Sequence, residues 1–252
     1  MLDLQKASVL KRISAFILDF IVLIICITGM AFLLSAILGY DEYSETIDKR
    51  KIEIAAEYNV DFTITNDEYN ALSSESKEIF DAAAKVFEED PVANKAWDIL
   101  VNLIFTIISL SVLLSYVITE FIVPLFLGNG QTIGKKVFSL GVMRSHHIKI
   151  STFQLFVRSI LGKCTIETMV PIYIFIMILF GILGIVGTGI LFLLLILQIC
   201  LIIFTKNNCV IHDILSDTVV VDMTSQMIFE TDEELLEYQK KIHQENVNSS
   251  SY

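Results

Sequence analysis

The sequence predicts an all-α membrane protein: a four-span transmembrane helical bundle with N- and C-termini inside, an extracytoplasmic helical insert and a small cytoplasmic β-ribbon. Hydrophobic residues make up 54% of the 252 residues and charged residues only 19%, with a mean hydropathy of +0.65, which is typical of membrane proteins. Four apolar windows are long enough to cross a hydrocarbon core of about 30 Å. Lys and Arg cluster beside some ends of these windows, which indicates how the bundle is oriented.

The predicted spans cover residues 13–38, 99–127, 169–186 and 189–204. The first window is longer than the roughly 7–15 apolar residues of a signal peptide, so it is interpreted as an uncleaved anchor. Only the run Gly187-Thr188-Gly189 separates the last two windows. One kinked helix over both would be about 54 Å long. Of the two interpretations, a kinked segment or a tight hairpin, the hairpin with its turn at this run is favoured.

Basic residues predict the orientation. Residues 128–168 carry six bases against one acid, whereas residues 41–97 carry fifteen acids and six bases. Together with Lys6, Lys11 and Arg12, this places the N-terminus and the 128–168 segment in the cytoplasm. The predicted parts are therefore the N-terminus with the first span (1–39), the outer acidic insert (40–98), the membrane core (99–222) and an acidic cytoplasmic tail (223–252). For the tail, a short surface helix followed by disorder is predicted.

The insert is too long for a simple loop between packed spans. Its segment SSESKEIFDAAAKVFEEDP predicts a helix that is capped by Ser73 or Ser74 and ended by Pro91. A short strand is predicted from the alternation of Val60, Phe62 and Ile64. Because few large apolar residues are available for a core, the insert either leans on the ends of the spans or binds a protein partner.

Two acids lie inside predicted spans, where a charged group costs roughly 2.5–3.5 kcal/mol on insertion scales. Asp19 shares a helical stripe with small residues such as Ala15, so it is expected to face protein. Glu120 lies at a similar depth in the second span, and the two carboxylates are predicted to meet. One interpretation is a cation or proton site. The other is a structural pairing of each acid with a base such as Arg12 or Arg158.

Two further segments carry motifs. GNGQTIGKKVFSLGVM follows the second span, and NNCVIHDILSDTVVVD follows the fourth. Together with Arg12 and Asp19, they resemble the RDD family of bacterial integral membrane proteins, which is named for one arginine and two aspartates. The family's Gly-Gln-Thr-x-Gly-Lys-Lys segment is matched by Gly130, Gln131, Thr132, Gly134, Lys135 and Lys136. Its His-Asp pair and the Thr-Val-Val segment after it are matched by His212, Asp213, Thr218, Val219 and Val220.

The resemblance covers residues 7–39 and 99–222 and implies that Asp213 is the second family aspartate. It also implies a polar cluster of Arg12, Asp19, Arg158, His212 and Asp213. The insert is longer than the usual connection between the first two spans of the family, so its role is expected to be particular to this protein.

The residues of the first motif also have a physical interpretation. Its glycines permit a sharp exit from the membrane, and Gln131 and Thr132 can bond the freed backbone groups. Lys135 and Lys136 are then expected at the lipid headgroups, where each contributes about 1 kcal/mol of attraction to anionic lipid. Residues 137–143 are rich in β-formers and are predicted to pair with residues 218–222, which would bring His212 beneath the bundle.

Other chemistries are not expected. The four cysteines do not form a disulfide framework. His212-Asp213 alone lacks the ligand count of a metal site, and the adjacent His146-His147 is interpreted as a solvated turn. There is no nucleophile elbow or zincin motif. We therefore expect no enzyme activity, no cofactor, no metal and no nucleic-acid partner.

Two functions remain open. The resemblance implies a family of undefined molecular role for which transport has been suggested. The first hypothesis is transport of a small ion or solute with Asp19 and Glu120 as the titrating pair, and it calls for a homo-oligomer because four spans make a thin wall. The second is a non-transporting interaction, immunity or accessory protein whose insert at residues 40–98 binds a protein partner. Both place the chain in the lipid bilayer of the bacterial cytoplasmic membrane as a multi-pass protein.

Overall fold

The computed structural model describes residues 7–205 and 208–249, with side chains of the last helix up to residue 244. Residues 1–6, which include the predicted cytoplasmic Lys6, lie outside the described residues. So do residues 250–252, at the end where disorder is predicted.

The helices and strands follow one another in this order: α1 (Val9–Ile37), α2 (Tyr40–Tyr58), α3 (Asn66–Ala71), α4 (Ser74–Glu88), α5 (Pro91–Leu127), α6 (Ile133–Val137), β1 (Leu140–Arg144), α7 (Thr152–Leu179), α8 (Gly184–Phe204), α9 (Ile211–Leu215), β2 (Thr218–Asp222) and α10 (Asp232–Ser249). Four of these, α1, α5, α7 and α8, are long and apolar enough to cross a membrane. The predicted all-α membrane fold with four spans and a small sheet is thereby confirmed. The side on which the termini lie stays a prediction.

The third span begins much earlier than predicted. The stretch from residue 152 to residue 168 is part of α7, and the connection to α8 lies at residues 180–183, where Gly181 has a φ of +72°. The predicted turn at the Gly187-Thr188-Gly189 run is therefore wrong, because these residues lie inside α8. The small size of Gly187 serves close packing instead, since a Cβ there would come within 2.7 Å of Ile178.

Two of the spans contain π-helical segments, Val117–Ile122 in α5 and Val157–Met169 in α7. In a π-helix each backbone N–H bonds the carbonyl five residues back, so the helix is wider than an α-helix. A side chain follows the same spacing, because the Thr168 hydroxyl donates to the carbonyl of Lys163 at 2.9 Å. Such segments are rare and frequently occur at functional sites.

The chain divides into two compact units. The membrane-core unit comprises the described parts of Met1–Cys26 and Leu113–Tyr252, and the insert unit comprises Ile27–Val112. In the insert unit α2 packs on α4, which confirms the predicted helix with its cap at Ser73. Pro91 begins α5 instead of ending α4.

The predicted strand at residues 60–64 is wrong, because the described chain has no strand partner for it there. Phe62 instead packs its ring against Phe80 and Phe87 of α4, with ring centroids 5.5 and 6.1 Å apart. These contacts between aromatic rings hold Phe62 on α4 and do not require an extended strand.

The sheet lies in the membrane-core unit. β1 and β2 pair antiparallel with Val142 opposite Val220, which confirms the predicted ribbon, although residues 137–139 belong to α6 and the turn after it. Val142 and Val220 pack on Ala7 and Ala15, and the other face of the sheet is buried as well. The sheet is therefore part of the core of this unit.

Candidate functional site

Asp19 contacts protein, as its stripe of small neighbours predicts. Its Oδ2 accepts a hydrogen bond from the Thr132 hydroxyl at 2.5 Å, and its Oδ1 accepts one from the backbone N–H of Gly134 at 2.7 Å. Thr132 is the residue before α6, and its hydroxyl also accepts from the backbone N–H of Lys135. Asp19 of α1 thus places a carboxylate at the start of α6, where backbone N–H groups lack partners.

Gly134 is required by this contact. A Cβ at residue 134 would collide with the backbone carbonyl oxygen of Ala15 and lie 2.9 Å from the Asp19 carboxyl carbon. Gln131 completes the loop, because its amide donates to the carbonyl of Leu140 at 2.7 Å, and Gly130 adopts a φ of +57° beside Val142. The glycine-rich motif therefore docks α6 onto α1 and β1.

Lys135 lies in a different place from the one predicted. It is only 9% exposed and points into the protein, so its predicted role as a headgroup anchor is wrong, whereas Lys136 is exposed. The side chain turns inward because α6 is held against Asp19. The Lys135 ammonium donates to the Thr132 hydroxyl at 3.2 Å. Burial lowers the pKa of Lys135 to about 8, although the nearby Glu120 opposes the shift.

Asp213 joins the two arginines of the predicted cluster. Its carboxylate accepts from Arg158 and lies 3.3 Å from Arg12 Nη2, and it also accepts from the backbone N–H of Val210 at the start of α9. Burial alone would raise the pKa of Asp213, but the charges of Arg158 and Arg12 hold it well below its usual range. The arginines therefore pair with Asp213 and not with Asp19 or Glu120.

The protonation of His212 follows from its neighbours. Its Nε2 lies 3.2 Å from an Arg158 N–H and its Nδ1 lies 2.8 Å from Glu167 Oε2. A guanidinium only donates, so Nε2 must accept and Nδ1 must carry the proton that Glu167 receives. Burial and the Arg158 charge lower the pKa of His212, in agreement with a neutral ring. Gln198 of α8 also hydrogen-bonds Glu167.

Glu120 has a partner that the sequence did not indicate. It is 7% exposed, and its Oε1 accepts from the Lys163 ammonium at 2.5 Å. Both residues lie on π-helical segments, Glu120 in α5 and Lys163 in α7. Asp19 and Glu120 line the same cavity, but each has its own partner, so the predicted direct meeting of the two carboxylates does not occur.

This cavity of about 600 Å³ lies in the membrane-core unit, and all four spans contribute to it. Its polar wall contains seven charged side chains: Arg12, Asp19, Glu120, Lys135, Arg158, Lys163 and Glu167. On its apolar wall α1 presents Val9, Ile13, Phe16 and Phe20. In the described chain, no group of three or more potential metal ligands is positioned to hold a metal ion.

Lys163 and Glu167 were missed because of their spacing. In an α-helix of 3.6 residues per turn, Arg158 and residues five and nine positions later point in different directions. The π-helical segment brings all three to the cavity, because its hydrogen bonds span five residues. A lysine and a glutamate inside an otherwise apolar span were the signal that could have identified them.

The model of the RDD family matches residues 6–217 of the chain. No curated protein and no solved structure matches it.

Proposed function

The chain belongs to the RDD family, and from this premise we propose that its membrane core binds a small polar solute in the cavity and carries it across the bacterial cytoplasmic membrane. The observation that carries the proposal is the cavity itself. It is bounded by charged side chains from helices that are long and apolar enough to span a membrane. Charged groups at such positions are costly and commonly mark substrate or ion pathways.

The size of the cavity favours a solute over a bare metal ion. Sites for small organic molecules have volumes of roughly 300–1,000 Å³, and about 600 Å³ lies in this range. A purely structural ion-pair network would instead be expected to pack without such a space.

Within this proposal Glu120 and Lys163 are the pair that responds to the solute. They contact each other through one hydrogen bond and face the cavity, so a bound solute can exchange with either partner. Asp19 has a positioning role, because both of its oxygens already accept hydrogen bonds from the α6 segment. Four spans make a thin wall for a pathway, so the working form is proposed to be a homo-oligomer.

Uptake into proteoliposomes tests the proposal. The panel is radiolabelled Na⁺, lactate, glutamate and phosphate, with protein-free vesicles as the blank. The double variant Glu120→Gln/Lys163→Met removes both charges together, so neither partner is left buried and alone. We expect it to remain folded and to lose uptake by about tenfold or more, because charge-assisted bonds are removed. Glu75→Gln, on the exposed surface of the insert, is the control.

Uptake of at least one panel member that depends on the Glu120 and Lys163 pair supports transport. Transport is contradicted if no panel member enters the vesicles above the blank, or if the double variant takes up solute as fast as the parent.

A second function is favoured by the independent packing of the insert unit. Its α2 packs on α4, with Ile54 of α2 and Ala83 of α4 both buried, yet Ile52 remains 68% exposed. A folded extracytoplasmic domain of this kind suits a protein that binds a partner. Deletion of residues 41–97 followed by a pull-down tests it, and loss of a bound protein with unchanged membrane insertion is the expected result.

A further inference from the structure

Lys135 differs from the other bases of the cavity. Arg12 and Arg158 pair with Asp213, and Lys163 pairs with Glu120. Among the described residues, Lys135 has no carboxylate within 4.0 Å, and its ammonium makes one hydrogen bond, to the neutral Thr132 hydroxyl. A lysine that is only 9% exposed and makes no direct ion pair is costly even with Glu120 nearby, and an anionic group bound to its ammonium would lower that cost.

The carboxylates of the cavity, in contrast, all have hydrogen-bond donors. Asp19 accepts from a hydroxyl and a backbone N–H, and Glu120 accepts from Lys163. Glu167 accepts from the backbone N–H and the ring N–H of His212. The carboxylates of the cavity wall therefore already accept hydrogen bonds, whereas Lys135 has no direct ion pair in the described part of the chain and donates to one neutral hydroxyl, so a ligand that complements Lys135 carries an anionic group.

The other wall of the cavity indicates an apolar body on the same ligand. Ile13, Phe16 and Phe20 of α1 line it, and these side chains are 49%, 59% and 50% exposed. In a membrane span, exposed side chains of this kind contact lipid. The apolar wall of the cavity therefore continues into the lipid-facing surface of α1, which suits a molecule with one polar end and one apolar end.

We propose that the cavity binds an amphiphilic anion, with its carboxylate or phosphate group on Lys135 Nζ and its apolar body against Ile13, Phe16 and Phe20. The inference rests on the proposed function in so far as the same cavity is used, and it names the class of the solute. The ligand comes either from solution, as a free amphiphile, or from the bilayer, as an anionic phospholipid.

Two probe sets separate these sources. Isothermal titration of the full chain in a neutral detergent uses hexanoate, hexylammonium and hexanol at about pH 7. Native mass spectrometry of the same preparation compares adducts with phosphatidylglycerol and phosphatidylcholine. We expect hexanoate or phosphatidylglycerol to bind, and Lys135→Met to weaken that binding by about tenfold or more.

The control is Lys136→Met, because Lys136 is the neighbouring exposed lysine. The affinity of this variant for the bound anion should stay within about twofold of that of the parent. The parent alone gives an independent readout that needs no variant. The pKa of Lys135 is about 8, so its ammonium is lost between pH 7 and pH 9.5 while the hexanoate carboxylate stays charged. The affinity for hexanoate should therefore be lower by about tenfold or more at pH 9.5 than at pH 7.

Binding of hexanoate that needs Lys135 identifies a free amphiphile, and a phosphatidylglycerol adduct that needs Lys135 identifies a lipid. The inference is overturned if neither binds, if hexylammonium binds as tightly, or if Lys135→Met has no effect. Uptake of a panel solute without binding of any amphiphilic anion keeps the proposed transport and removes this inference. Binding of hexanoate or phosphatidylglycerol that needs Lys135, without uptake of any panel member, keeps this inference and contradicts transport of the panel solutes.

Discussion

Two ion pairs, one in each unit, are built to the same plan in different surroundings. In the membrane-core unit, Asp213 accepts from the backbone at the start of α9 and from Arg158. In the insert unit, Asp90 accepts from the backbone N–H groups of Val92 and Ala93 at the start of α5 and from Arg50. The side chain of Arg158 is 4% exposed, whereas that of Arg50 is 35% exposed.

The difference in exposure decides what each pair contributes. Water reaches Arg50, so it can replace the carboxylate when the pair opens, and such exposed pairs contribute little. Arg158 is almost completely buried, so breaking its pair leaves a charge that has lost its carboxylate and is poorly solvated. An arginine–aspartate pair of the same design therefore contributes little to the stability of the insert unit and much to that of the membrane-core unit.

The largest effect is expected from Asp213→Asn. It leaves Arg158 and Arg12 without their shared carboxylate, and we expect the free energy of unfolding to fall by roughly 3–5 kcal/mol. Denaturant unfolding in detergent micelles, followed by circular dichroism, measures the loss. Asp90→Asn is the matched change in the insert and should cost much less. Equal losses in the two variants would contradict the role assigned to burial.

A second variant tests close packing and not charge. Gly134→Ala pushes a methyl group against the Ala15 carbonyl and the Asp19 carboxylate, and overpacking of this kind costs roughly 1–3 kcal/mol. Gly189→Ala is the control, since nothing lies within 4 Å of a Cβ there and Ala favours a helix. The same unfolding assay applies to both. If the two variants are equally stable, the close approach of α6 to α1 is not required.

The smallest effect is a difference in pH response between the two units. The Arg50 hydrogen bond lowers the pKa of Asp90 to about 2, so its contribution is complete above pH 4 and is lost as pH falls towards 2. The pKa of His212 is lowered by burial, so the core already loses stability as pH falls below about 6.5. Backbone amides of α9 should therefore be less protected from hydrogen exchange at pH 5 than at pH 7, whereas the protection of α2 should be the same at both values. A loss in α2 over this range would contradict the assignment.

The sequence predicted the parts of the fold that depend on apolar length and alternation. The four spans, α4 and the pairing of residues 140–144 with 218–222 all follow from such patterns. It did not predict the turn at residues 180–183, because the Gly187 run is equally compatible with a turn and with close helix packing. A short helix with polar residues can also be buried, which is why the position of Lys135 was missed.

The candidate site was predicted in part for a similar reason. Arg12, Asp19, Glu120, Arg158 and His212 all line the cavity. Asp19 and Glu120 were identified as acids inside predicted spans, and Arg12, Arg158 and His212 by the resemblance to the family. Their partners were assigned wrongly, because a partner such as Thr132 or Lys163 is set by where loops and π-helical segments place it. That placement depends on packing between distant segments, which periodicity within one segment does not encode.

The hydrogen bond between Asp19 and Gly134 has a consequence for biosynthesis, because 115 residues separate its two ends. At about 5–20 residues per second, a ribosome needs roughly 6–23 s to make that interval. The first helix therefore enters the bilayer before the hydrogen-bond donors of its carboxylate have been synthesised. Its surrounding leucines, isoleucines and phenylalanines must keep it inserted until the glycine-rich segment is translated.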